Sequence, residues 1–114
     1  MQRRPRQKNE GYLKFIRSLD CCICGTNISV EAAHVRMVDR SVGKPITGMG
    51  TKPDDKWALP LCTAHHRSQH ETSEKEFWAG WEKDPVKLAL ALWDAQSDYS
   101  TASEIVRGQL YGID

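Results

Sequence analysis

The sequence predicts a small α+β domain assembled around zinc, with one helix ahead of the metal-bearing core and further helices behind it. Three observations predict it. Cys21-Cys22-Ile23-Cys24-Gly25 and Cys62-Thr63-Ala64-His65 are two knuckles whose short spacing aims four ligands at one tetrahedral ion. Short runs containing β-branched residues, around Ile28–Val30 and His34–Val38, lie between the knuckles. Helical spacing with recognisable caps recurs on either side.

Residues 1–9 read as a disordered basic arm. Leu13, Ile16 and Leu19 fall near helical spacing, which predicts a helix from about Gly11 to Leu19 with Asn9 as its cap. After the first knuckle, Ile28 and Val30, then Ala32 and the stretch His34–Val38, read as two short strands in a hairpin. Arg40 to Lys56 holds three Gly, two Pro and four basic residues without periodicity, so it reads as a long loop. Trp57-Ala58-Leu59-Pro60-Leu61 returns the chain to the second knuckle. Thr63 can cap a helix there, which would place His66 and His70 at i and i+4 on one face. Ser73 and Glu76 have capping-box spacing and open a run through Phe77, Trp78 and Trp81. Asp84-Pro85 is a strong start for a helix from Val86 to about Ser97, with Val86, Ala89, Leu90 and Trp93 on its buried face. Thr101 and Glu104 open a last short helix. Trp78, Trp81 and Trp93 read as core rather than as base-stacking residues. The expected organisation is the arm at 1–9 and one domain at 10–114, its core at about 20–72 and its helical part at about 73–114.

A chain of 114 residues suits one domain with a modest core, small enough to benefit from a metal staple. No apolar run approaches the roughly 18 residues of a membrane span, so no membrane partner is expected. The basic start Met1–Arg6 has no apolar stretch behind it and does not read as a secretory signal. A cytoplasmic, reducing setting is expected, and there paired Cys read as metal ligands rather than disulfides. The net charge of +1 hides an asymmetry: residues 1–67 carry 12 Lys/Arg against 6 Asp/Glu, and residues 68–114 carry 4 against 9. The positive part holds the clustered Cys and His, which suits a polyanion such as nucleic acid; solvated faces of opposite sign are the alternative.

Cys21, Cys24, Cys62 and His65 are the expected structural zinc set, with Gly25 permitting the tight turn of the knuckle. Cys22 is spare, either packed in the core or exchanging with Cys21 as a ligand. His66 and His70 remain once that site is filled. They read as ligands of a second divalent ion with open positions, or as exposed helix polars. His34 is the candidate general base, and Arg36, two residues on along a strand, points to the same face and can clamp a phosphate. The alternatives are a structural histidine and a surface cation.

Together, Cys21–Gly25, Ala32–Arg36, Gly48–Pro53 and Leu59–His70 resemble the HNH endonuclease superfamily, the ββα-metal nucleases. More closely they resemble small phage and prophage HNH proteins related to the Ref recombination nuclease. The resemblance covers roughly residues 12 to 70. It implies a ββα-metal core on a treble-clef zinc frame that cuts DNA phosphodiesters in recombination or processing. It implies His34 as general base, His66 and His70 as ligands of the catalytic ion (Mg²⁺, Mn²⁺, Ni²⁺ or Zn²⁺), and Cys21, Cys24, Cys62 and His65 as the structural zinc set. Two positions depart from the pattern. Ala33 stands where many relatives carry a further ligand, and Trp57 lies near the usual middle Asn, leaving Asp54 or Asp55 as substitutes.

Arg40, Lys44, Lys52 and Lys56 can track the DNA backbone, and Arg3, Arg4, Arg6 and Lys8 can add sequence-independent phosphate contacts. A mobile loop and a solvated tail are the plainer readings. DNA is therefore the expected partner, with an activating recombination or phage protein as a candidate second one. Two rivals stand beside the nuclease: a zinc-framed DNA-binding module whose catalytic site has eroded at Ala33, and a zinc-stabilised domain whose acidic helices dock a protein. Nothing in the sequence signals oligomeric state.

Overall fold

A computed structural model describes residues 7–37, 39, 41 and 53–111. Among these residues the chain forms five α-helices and one two-stranded antiparallel sheet, an α+β arrangement.

Helix α1 spans Glu10–Arg17, and Asn9 caps it by accepting a hydrogen bond from the Tyr12 amide at 3.0 Å. Tyr12, Leu13 and Ile16 form its buried stripe. The helix stops short of Leu19, which still packs into the core. The Cys21 knuckle follows, and Ser29, at φ 55°, turns the chain into strand β1, Val30–His34.

The expected local hairpin does not form. β1 pairs instead with β2, Ala58–Cys62, in a register running from Val30 opposite Cys62 to His34 opposite Ala58. Ile28 is left 72% exposed and belongs to no strand. Pairing with β2 buries Leu59 and Leu61 completely, and this burial has no counterpart in a hairpin confined to residues 28–38. Pro60 lacks an N–H for a ladder bond but is tolerated in so small a sheet, and its carbonyl accepts from the Cys22 amide at 3.0 Å. A 3-10 turn at Asp55–Trp57 leads into β2, at the end of the stretch expected to be loop.

Helix α2, Thr63–Glu71, starts at Cys62 rather than at a Thr63 cap. The Cys62 sulfur gives no capping bond; the Ser29 carbonyl satisfies the free Thr63 amide at 3.1 Å. Helix α3, Glu74–Gly80, is capped by Ser73, whose hydroxyl accepts from the Glu76 amide at 3.0 Å. Helix α4, Pro85–Asp94, is capped by Asp84, which accepts from the Val86 and Lys87 amides. It ends before Ser97, whose φ of 69° breaks the helical path. Its buried face is Val86, Leu88, Ala89 and Leu92, while Leu90 and Trp93 are only partly buried. Helix α5, Tyr99–Tyr111, is longer than expected and starts earlier. Asp98 opens it, accepting from the Thr101 amide and hydroxyl, which hold its carboxyl below the usual range.

The core joins α1, both strands, α3, α4 and α5 through Ile16, Ala33, Leu59, Trp78, Leu92 and Val106. Trp81 departs from the expected core: it is 47% exposed and meets the His65 ring edge-on. Among the described residues no helix is long and apolar enough to cross a membrane.

Candidate metal centre and cleft

The two knuckles converge. Ligand atoms of Cys21, Cys24, Cys62 and His65 all lie within 4.8 Å of one another. The Cys24 and Cys62 sulfurs are 3.9 Å apart, and His65 Nδ1 lies 3.2 Å from the Cys62 sulfur and 3.9 Å from that of Cys21. Ligands held tetrahedrally at zinc bond lengths stand about 3.5–3.8 Å apart, so this donor set fits a zinc ion. Each half is preorganised by its backbone. The Gly25 amide donates to the Cys21 carbonyl, the Cys21 amide to the Thr26 carbonyl, and the Ile23 amide to the Cys21 sulfur at 3.5 Å. Burial disfavours the Cys21 thiolate, but surrounding hydrogen bonds outweigh it and bring the thiol below its ordinary value. The Cys24 thiol is raised by burial and by its sulfur neighbours. A dication would release these protons as it binds. Cys22 lies outside the set, fully buried, with burial pushing its thiol far up.

Gly25 sits at φ 77°, and a Cβ there would stand 3.0 Å from a Leu110 methyl. Gly25→Ala is expected to cost roughly 1–3 kcal/mol from the strained backbone alone. A lower denaturant midpoint at fixed zinc checks this; an unchanged midpoint would show that the turn relaxes freely.

A cleft of about 560 Å³ is lined by Lys8, Glu10, Leu13 and Arg17 of the N-terminal segment and α1, by Asp55, and by His66 and His70 of α2. Ala32, His34 and Arg36 line it too, three alternate residues along and just past β1. His34 Nε2 is 2.9 Å from Oδ1 of Asp55, a carboxylate only 2% exposed. The other oxygen of Asp55 accepts from the Asn9 amide at 2.7 Å. Two further bonds tie the same segments: Asp55 N–H to the Gln7 carbonyl at 2.9 Å, and Gln7 N–H to Asp54 at 2.8 Å. Of the two expected substitutes for the missing Asn, Asp55 reaches His34. Arg36 is set by its backbone: its amide and that of Met37 donate to the Glu74 carboxylate at 2.8–3.0 Å.

On α2 the one-turn spacing brings His70 Nε2 to 3.1 Å from His66 Nε2. Two nitrogens sharing one ion at about 2.1 Å stand about 3.0–3.4 Å apart, so this pair fits a second metal. His66 Nδ1 meets Glu31 Oε1 at 2.7 Å, and this contact, ahead of the opposing effect of burial, lowers the Glu31 carboxyl. Ala33 is 1% exposed in the core and offers no ligand.

The sequence reading omitted Glu31 and Arg17. A lone Glu in a strand and a lone Arg on a helix carry no spacing signal; only the approach of α2 and the packing of α1 give them a setting. Among the expected phosphate contacts, Lys8 lines the cleft, and Lys56 stacks over the Trp57 ring at 4.8 Å instead. Arg3, Arg4, Arg6, Arg40, Lys44 and Lys52 lie outside the described residues.

A family profile described as "Protein of unknown function (DUF968)" matches residues 1–96. Among curated proteins the chain is similar to "Uncharacterized protein YdfU" of Escherichia coli (strain K12), 31% identical over 70 residues. That stretch covers 61% of this chain and 18% of the relative, so the chain spans less than a fifth of that protein's length. No solved structure gives a significant match.

Proposed function

The chain belongs to the DUF968 family, and from its metal group and cleft we propose that it is a zinc-framed, HNH-type DNA endonuclease, phage or prophage encoded, acting in recombination or processing. The observation that carries the reading is the shared cleft: the base candidate His34, the cations Lys8, Arg17 and Arg36, and the histidine pair His66 and His70 line the same space. In this reading β1, β2 and α2 are the ββα-metal unit, and the Cys21, Cys24, Cys62 and His65 group is the zinc of a treble clef. The site is cytoplasmic and its partner is DNA, with an activating recombination or phage protein as a further candidate.

An ion held by His66 and His70 would supply Lewis-acid stabilisation of the phosphate and the leaving oxygen. The chain's own residues do the rest. Asp55 accepts the Nε2 proton of His34 and fixes the tautomer in which Nδ1 is the basic nitrogen. Nδ1 takes the proton of the attacking water, and the buried carboxylate stabilises the imidazolium that results. Arg36 holds a phosphate oxygen, while Lys8 and Arg17, which line the same cleft, draw the strand into it. Arg17 is kept in place by Glu10 at 2.7 Å.

The test is nicking of supercoiled plasmid by zinc-loaded protein, with Mg²⁺, Mn²⁺, Co²⁺ or Ni²⁺ supplied in turn. Cutting that needs an added ion and is lost in His66→Ala, with zinc content intact, is the expected result. Salt-sensitive DNA binding without cutting under any ion favours a second reading, a DNA-binding module on the same frame. The core position of Ala33, which removes one ligand from the strand, is the observation on its side.

A further inference from the structure

Strand β1 has no side chain that reaches the histidine pair as a ligand, yet it contributes to that pair one layer back. Glu31 points to α2 with both carboxylate oxygens engaged: Oε1 meets His66 Nδ1 at 2.7 Å, and Oε2 accepts from the Thr63 hydroxyl at 3.0 Å. Thr63 in turn is anchored, through its amide, to the Ser29 carbonyl at the mouth of β1. The carboxylate is therefore held from both sides, and it sits at the Nδ1 edge of the ring, away from the Nε2 edge that faces His70.

We propose that Glu31 is a positioning residue for the second metal: it keeps the proton of His66 on Nδ1, so that Nε2 presents its lone pair beside His70 Nε2. A carboxylate behind a metal-ligating histidine fixes ring orientation and tautomer and strengthens the ligand. Without it a neutral imidazole can place its proton on Nε2, the nitrogen the ion needs. Glu31 does not itself ligate, because reaching the ion would give up its bonds to His66 and Thr63. With no ligand from Ala33, a two-histidine site depends more heavily on the tautomer of each ring. This role rests on the reading of His66 and His70 as an ion site, and the experiment separates the two.

Nitrogen-15 NMR of the zinc-loaded chain, before any second ion is added, reads the tautomers directly. His66 is expected as the Nδ1-protonated form, its Nε2 accepting from His70 Nε2–H; an Nε2-protonated His66 overturns the proposal whatever the variants do. Calorimetric titration with Ni²⁺ or Co²⁺ then measures the second site in wild type, Glu31→Gln, Glu31→Ala and His70→Ala. Loss of the second site in His70→Ala, about 10- to 100-fold weaker binding in Glu31→Ala, and a smaller loss in Glu31→Gln are expected. Gln can still accept from Nδ1–H, so its rescue of the tautomer marks positioning rather than folding. Wild-type binding lost in His70→Ala but equal in Glu31→Ala overturns the role of Glu31 and leaves the ion site standing. Absence of any second ion on the wild type overturns both.

Discussion

Replacing Cys62 by Ser, or stripping zinc with a strong chelator, is expected to unfold the chain rather than trim its stability. A domain of this size has about 5–15 kcal/mol of net stability, and structural zinc in small finger peptides contributes about 10–16 kcal/mol at neutral pH. The metal contribution is thus as large as the whole. Cys62 concentrates the effect, because it closes β2 opposite Val30, precedes the first residue of α2 and supplies a sulfur to the metal group. Thermal melts followed by circular dichroism, with zinc content measured on the same samples, give the answer. A cooperative transition that survives complete zinc removal would show that the core of Ile16, Leu59 and Trp78 suffices alone. Cys22→Ser is the matched control. It is expected to keep its zinc and lose only about 1–3 kcal/mol, the cost of a hydroxyl in a buried apolar site.

His34→Ala is expected to lower DNA cleavage by about 10²- to 10⁴-fold while leaving DNA affinity and zinc content near wild type. Losing this base removes a proton acceptor without removing an ion ligand or a cation. The substitution also takes the imidazole away from Asp55, and breaking one side of a buried pair can cost about 3–5 kcal/mol. The comparison must therefore be made well below the melting temperature of the variant, with its fold verified. Asp55→Asn sharpens the result. It keeps the shape, but its one oxygen stays on the Asn9 amide and its NH2 faces His34 Nε2, which reverses the tautomer and removes the charge that stabilises the imidazolium, so it is expected to approach the loss of His34→Ala. Cleavage unaffected by His34→Ala would remove His34 from the reaction.

What the sequence made legible was whatever is encoded within a few residues. The metal knuckles are x-x spacings, the caps at Asn9, Ser73 and Asp84 are single residues ahead of helical runs, and the His66–His70 pair is one helical turn. What it hid depends on where distant segments meet. The partner of β1 is β2, at the far end of the stretch that separates the knuckles, and alternation alone cannot say which of several short runs a strand will choose. Asp55 was visible only as one of two adjacent acids, because the choice is made by Asn9 and Gln7 from the start of the chain. Thr63 looks like a helix cap by type, yet its amide donates to the Ser29 carbonyl and its hydroxyl lies between that carbonyl and the Glu31 carboxylate. Trp81 has the periodicity of a core residue and lies on the surface, since α3 ends at Gly80 and the chain turns away.

The pairing of β1 with β2 also sets the order in which this protein can come into being. A growing chain presents Cys21 and Cys24 first, then β1, and only much later the strand that pairs with it and the last two zinc ligands. Until then the nascent segment has two thiols and an unpaired strand edge, with α1 alone to pack against. Zinc captured early by two sulfurs would be held weakly, and any soft ion could compete for them. The sheet, the metal group and the first turn of α2 are then completed together, when Leu59 to His65 emerges, ahead of the helices that close the core.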